Sequence, residues 1–198
     1  MPTQDRDDLR LLDFNRDVLG QAMALAAAHE APGAPDYARP AGAHVRHLVE
    51  HYEALLNPPQ PGVVDYDARA RDLALERCPK LARQRIAALL PRLAALDSTA
   101  LASAVRVRGR AGLGGEFGFE LGSTLGRELV FTASHAIHHF AVLTPHCQAH
   151  GLDLGSHFGK APATVAHERE NDAMGSGPAQ TNKPLNQEPV CKLQAQSA

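Results

Sequence analysis

Apolar residues recur at helical spacing through residues 7–30, where Leu9, Leu12, Val18, Ala22, Leu25 and Ala26 share one face of an Ala- and Leu-rich segment. That pattern predicts a first helix. The stretch from Ala31 to Pro40 carries three prolines and a glycine and reads as a loop. A second amphipathic pattern runs from Gly42 to Leu56 and stops at Asn57-Pro58-Pro59. Its stripe is Val45, Leu48, Val49, Tyr52, Leu55 and Leu56, with Arg46, Glu50 and Glu53 turned toward solvent. Residues 57–66 form another Pro-rich connection, and a third helix is expected from Asp65 or Asp67 to Leu96, kinked or broken at Pro79 or Pro91.

Between residues 103 and 121 the period changes from helical to alternating. AVRVRGR and EFGFEL flank a Gly-rich stretch, the signature of a β-hairpin. Ser123 or Thr124 then caps a last long helix from Leu125 to His150, closed by Gly151. These elements predict an all-α fold, an up-down four-helix bundle with a small β-hairpin inserted before the last helix, over residues 1–160. From residue 161 onward, and above all over 171–198, few large apolar residues remain. Such a segment buries too little surface to offset its ordering entropy, so a flexible polar tail is expected there.

Composition removes several function classes. The formal net charge is −2 and basic residues form no long run, so the electrostatic footprint of a nucleic-acid partner is missing. No apolar stretch approaches the roughly 20 residues that span a bilayer, so no membrane partner is expected. The polar, acidic start MPTQDRDDLRLLDF lacks a secretory pattern, and a cytoplasmic location is expected. Cys78, Cys147 and Cys191 are sparse and show no CxxC spacing, which suits incidental thiols rather than a disulfide framework. GRAGLGG lies inside the hairpin pattern rather than between a strand and a helix, so it reads as a turn and not a phosphate loop.

Histidine is the exception to an ordinary composition, with 11 residues. On the second helix His44, His47 and His51 line the edge of the apolar stripe; on the last helix Glu128, Thr132, His135 and His139 run along the edge in one line. Histidines four apart on a helix stand one turn above the other, so both imidazoles can reach one ion. A third nitrogen from a facing helix completes a three-histidine set and leaves coordination positions open, the pattern of a reactive site. Spacing does not choose among His44, His47 and His51. His138 points away from the His135/His139 line, and His29, His146, His150, His157 and His167 read as surface residues.

HVRHLVEHYEALL in the second helix and SHAIHHFAVL in the last resemble, in order and spacing, the DinB/YfiT-like superfamily of metal-binding four-helix bundles, over roughly residues 7–160. The resemblance implies metal ligands at His47, His135 and His139, with His51 in reserve, and matches nothing to His44. It also implies a class of chemistry: metal-dependent transferases and isomerases that use low-molecular-weight thiols such as mycothiol, bacillithiol or glutathione. A three-nitrogen site suits zinc, nickel or ferrous iron about equally. The function expected is therefore a metal-dependent transferase or hydrolase that activates water or a thiol and acts on a small-molecule substrate. Glu128, two turns before His135, is the candidate proton acceptor, and a surface acid at a helix start is the competing reading. Arg127 and the Asp65-Tyr66-Asp67 segment have two readings, the mouth of the site or solvated charge and helix capping, and the second is preferred. A non-catalytic metal-stabilised bundle is the alternative function. Small bundles commonly form homodimers, though no sequence feature here demands one.

Overall fold

The computed structural model describes residues 3–175. The described residues are not an all-α bundle. They form seven helices and a three-stranded mixed sheet. The long helices are α1 (Thr3–Ala28), α2 (Ala41–Leu56), α4 (Pro79–Ala94) and α6 (Leu125–Ala149), with short helices α3 (Leu73–Arg77) and α5 (Ser98–Ala102) between them. The strands are β1 (Val63–Asp65), β2 (Ala104–Ala111) and β3 (Phe117–Thr124). A seventh helix, α7 (Pro162–Gly175), occupies the beginning of the segment expected as a polar tail, and the rest of that segment lies outside the described residues.

The four long helices still supply the core. α1 packs on α4 and α6, and α2 packs on the same two, while the consecutive helices α1 and α2 touch only weakly. The buried side chains are those of the periodic stripes: Leu19, Ala22 and Leu25 from α1, Val45, Leu48 and Tyr52 from α2, Ile86 and Leu93 from α4, and Leu129, Ala133 and Phe140 from α6. One polar pair sits among them. Buried Asn15 donates from Nδ2 to the Leu11 carbonyl and accepts from the Tyr52 hydroxyl at 2.9 Å, so neither side chain is buried without partners.

The expected third helix is two helices, because Pro79 forces the preceding residue out of the helical region. Cys78 is extended, at φ −127° and ψ 101°, ending α3, and Pro79 is the first residue of α4. Pro91 stays inside α4. The chain from Asp65 to Asp72, expected as the start of that helix, is not helical. Asp65 turns its carboxylate onto the backbone N–H groups of Asp67 and Ala68, a local bond that competes with helix formation. Asp72 is the residue that caps α3, accepting from the Ala74 amide.

The second departure is β1. Val63, Val64 and Asp65 pair in parallel with Arg106, Val107 and Arg108 of β2. Parallel strands need a long crossover, and here the connection is the whole α3–α4–α5 stretch. β2 and β3 form the expected hairpin in an unbroken register from Ala104↔Thr124 to Ala111↔Phe117. The Asp67 carboxylate accepts from the Arg110 amide at 2.6 Å. The loop between β1 and α3 is thus tied to the hairpin at both its strand and its bend.

That loop covers the α2 face expected to meet solvent. Glu50 is only 2% exposed and accepts from the Asp72 amide, Arg46 pairs with Glu76 of α3 at 2.8 Å, and Glu53 is held by Arg85 of α4 through two contacts of 2.7 Å. Gly42 makes the α2–α3 approach feasible, since a Cβ there would fall 2.0 Å from the Glu76 carbonyl oxygen. No described helix is long and apolar enough to cross a membrane.

Candidate metal centre

α2 and α6 pack side by side, so the histidines at the edges of their apolar stripes face one another. Val45, Leu48, Val49 and Tyr52 on α2, and Leu129, Ala133, Ala136 and Phe140 on α6, are buried. The Thr124 hydroxyl accepts from the Arg127 amide and starts α6, which fixes the phase of everything after it.

His47 Nε2 lies 2.8 Å from His135 Nε2, and His139 Nε2 lies 3.2 Å from the same atom. Among the described residues, His47, His135 and His139 form the one group of His, Cys, Asp or Glu whose ligand atoms all lie within 4.8 Å of one another. Two nitrogens on one tetrahedral ion with bonds of about 2.0–2.1 Å stand about 3.3 Å apart. The two spacings to His135 lie just below that value and the third is within 4.8 Å, so the donor set fits a divalent ion.

His44 and His51, which spacing alone left as alternatives to His47, have different positions. His44 Nδ1 lies 2.7 Å from His139 Nδ1, on the far side of that ring from His135. His51 donates from Nδ1 to the His47 carbonyl at 2.7 Å and is thereby pinned to its own helix. Exposed His138 packs edge-on against His139 at 5.7 Å. Of the histidines read as surface residues, His29 is instead buried.

The cluster is electrically neutral at ordinary pH. Burial, then the neighbouring His51 and Arg69, push His47 far below the usual imidazole range. Burial also pushes His139 down to about 4, with His135 adding to the shift. It lowers His51 to about 4 as well, partly offset by the bond to the His47 carbonyl. His44 and His135 are lowered too, first by burial and then by His138. A neutral imidazole keeps a nitrogen lone pair, which is what a metal ligand needs.

No protein-family model and no solved structure matches the chain. Over 105 residues it is 30% identical to FK506-binding protein 5 of Rhizopus delemar, a stretch that is 53% of this chain and 27% of that protein. The chain therefore spans about a quarter of that relative's length, and the shared segment does not place it in that protein's family.

Around the cluster stand further side chains, some of them named as candidates by the sequence. The Tyr66 ring, on the loop after β1, stacks on His51 at 5.1 Å and 18°. Its hydroxyl donates to Glu128 Oε2 at 2.9 Å. Burial pushes that phenol well above its usual range, so it remains a donor. Glu128 is 2% exposed and also accepts from Ser123 and Arg127. It meets the histidines through Tyr66 rather than directly. Phe131 stacks on His135 at 5.7 Å and carries the Arg127 guanidinium over its other side.

Arg69, from the same loop as Tyr66, lies with Nη1 2.7 Å from His47 Nδ1. Its Nε donates to the Tyr66 carbonyl, and Glu50 stands 3.6 Å away. Two cavities adjoin the centre through these neighbours. One, of about 380 Å³, is lined by Glu50, Asp65, Arg69 and Arg108 among others. The other, of about 370 Å³, is mostly apolar and is lined by Tyr66, Leu121, Glu128 and Phe131 among others. Arg69 and Glu50 were hidden because the segment carrying Arg69 reads as a helix start, and helical phase alone put Glu50 in solvent, whereas Tyr66 belongs to the stretch named as an alternative lining of the site's mouth.

Proposed function

We propose that this chain is a divalent-metal-binding protein of the DinB-like kind, and that His47, His135 and His139 hold one zinc, nickel or iron ion for a transferase or hydrolase reaction. The observation that carries this reading is the convergence of three neutral ring nitrogens, one from α2 and two from α6, on a single point. A metal ion in that position supplies Lewis-acid activation of water or of a low-molecular-weight thiol. The rest is the work of the chain's own residues. The cluster is half-buried, and Phe131 and Tyr66 flank it with rings that exclude water from two sides. The mostly apolar cavity beside them offers room for a small-molecule substrate.

Glu128, the candidate proton acceptor, already accepts from Ser123, Arg127 and Tyr66. In this reading it is a positioning residue that holds Tyr66 against His51, and the Tyr66 hydroxyl is the polar group it presents toward the cluster. The same saturation favours the second reading, a metal-stabilised bundle without catalysis, since Glu128 has no free oxygen to offer the histidines.

The deciding measurement is elemental mass spectrometry on protein purified without a histidine tag, beside His47→Ala and His135→Ala. The expected result is close to one equivalent of one divalent metal in the parent and none in either variant. Metal-free parent protein that also fails to retain added zinc, nickel or iron would overturn the reading. If metal is bound, turnover of thiol-dependent transfers separates the catalytic reading from the structural one.

A further inference from the structure

The position of Arg69 conflicts with a metal on His47, and the conflict has a local solution. A guanidinium only donates. With Arg69 Nη1 2.7 Å from His47 Nδ1, that nitrogen must be the acceptor, so the proton of the neutral ring sits on Nε2. From there it donates to His135 Nε2 at 2.8 Å. The metal-free cluster is therefore a closed hydrogen-bonded chain, Arg69 to His47 to His135. A metal ion needs the lone pair of His47 Nε2, which moves the ring proton to Nδ1. Nδ1–H and the Arg69 N–H would then face each other as two donors, an arrangement that cannot persist at 2.7 Å.

Glu50 supplies the alternative partner. Its Oε1 accepts from the Asp72 amide, but its Oε2 is buried with no hydrogen bond and lies 3.6 Å from Arg69 Nη1, just beyond bonding range. A small rotation of the guanidinium satisfies it. Resting on the reading of the cluster as a metal centre, we propose that Arg69 is a latch on that centre. It bonds His47 when no metal is present, and it turns to Glu50 Oε2 when a metal takes the His47 lone pair. Arg69 and Glu50 both line the cavity of about 380 Å³, so metal occupancy also changes the charge that this cavity presents.

The test pairs tautomer assignment by long-range proton–nitrogen NMR with zinc affinity by chelator competition. In the unaltered metal-free protein the His47 ring is expected to carry its proton on Nε2, and to carry it on Nδ1 once zinc is added. Arg69→Met is expected to tighten zinc binding roughly tenfold or more, the factor matching a lost competing charged hydrogen bond. Arg46→Met removes the same charge from the neighbourhood without touching His47, and is expected to leave the affinity within about twofold, well under the tenfold step of one such bond.

An Nδ1 proton in the metal-free protein overturns the latch, and so does Arg69→Met with unchanged or weaker affinity. Equal tightening in Arg46→Met also overturns it, because net charge would then explain the effect. Zinc that binds the parent while any of these results is found sinks the latch alone; a parent that retains no added zinc, nickel or iron sinks the metal reading and the latch together. Should Arg69→Met fail to fold, the tautomer measurement on the unaltered chain decides by itself.

Discussion

Helix α6 carries two HxxxH pairs, His135/His139 and His146/His150, and only the first becomes part of a convergent cluster. Both pairs meet a histidine from elsewhere in the chain: His47 of α2 for the first, His29 just after α1 for the second. In the first group the ring planes of His135 and His139 are nearly perpendicular, at 86°, and their Nε2 atoms point at each other. In the second group His29 and His146 lie parallel, 4° apart in plane with centroids 6.0 Å apart, and their Nε2 atoms are buried without a partner. The difference traces to one local bond. His29 and His150 spend Nδ1 on the carbonyl four residues earlier, that of Leu25 and of His146. His51 does the same with His47. A histidine bonded back onto its own helix is held along that helix, while His47, His135 and His139 make no such bond and reach across. Spacing identifies pairs that can share a ligand; the back-bond marks the rings that are held along their own helix instead of reaching across.

The largest effect expected from this contrast is on metal content. His135→Ala should abolish bound metal, whereas His146→Ala should leave it at the parental level, both read by elemental mass spectrometry. Loss of metal in both variants would break the distinction. Next comes Gly42→Ala, which forces a methyl group against the Glu76 carbonyl and pushes α2 away from α3. It should cost about 1–3 kcal/mol in denaturant unfolding, the usual range for overpacking. Acid titration of the metal-free protein should follow. His51 and His139 have folded pKa values near 4 against an ordinary 6.5, so the unfolded chain binds more protons between those values. Stability should be fully present above about pH 6.5 and fall as pH drops toward about 4, because the protonated form favours the unfolded chain there. A flat melting temperature across that window would contradict the neutral, buried state of the cluster. The smallest effect concerns the start of α6, where Thr124→Ala should remove one cap and cost about 1 kcal/mol, with metal retained.

Much of the body was legible in the sequence, because stripes such as Leu12, Val18, Leu25 and Val45, Leu48, Tyr52 are long and strictly periodic, and they are the buried faces. The hairpin was legible from its alternation and its glycines. Two features were not. The strand Val63–Asp65 is three residues long, with a partner some forty residues away, and no local pattern announces a parallel pairing of that kind. The segment Tyr66–Asp72 carries helix-forming residues, yet Asp65 and Asp67 bind it to its own turn and to the hairpin, so tertiary bonds override propensity. The candidate ligands could be placed because they lie on regular helices with a fixed phase. Arg69 could not, and Tyr66 only as an alternative to helix capping, since they come to the histidines from a loop whose path depends on that distant pairing.

The pairing of β1 with β2 has a consequence for anyone who would transplant this centre. Copying His47, His135 and His139 onto a plain helical scaffold would reproduce three ligands of the right spacing. It would leave behind the strand that anchors the loop, and with it the arginine that bonds His47 and the tyrosine that stacks on His51. Such a graft would present the three rings without the neighbours that bond His47 and stack on His51. In this protein the small sheet, remote from the histidines in sequence, is what brings Arg69 and Tyr66 to them.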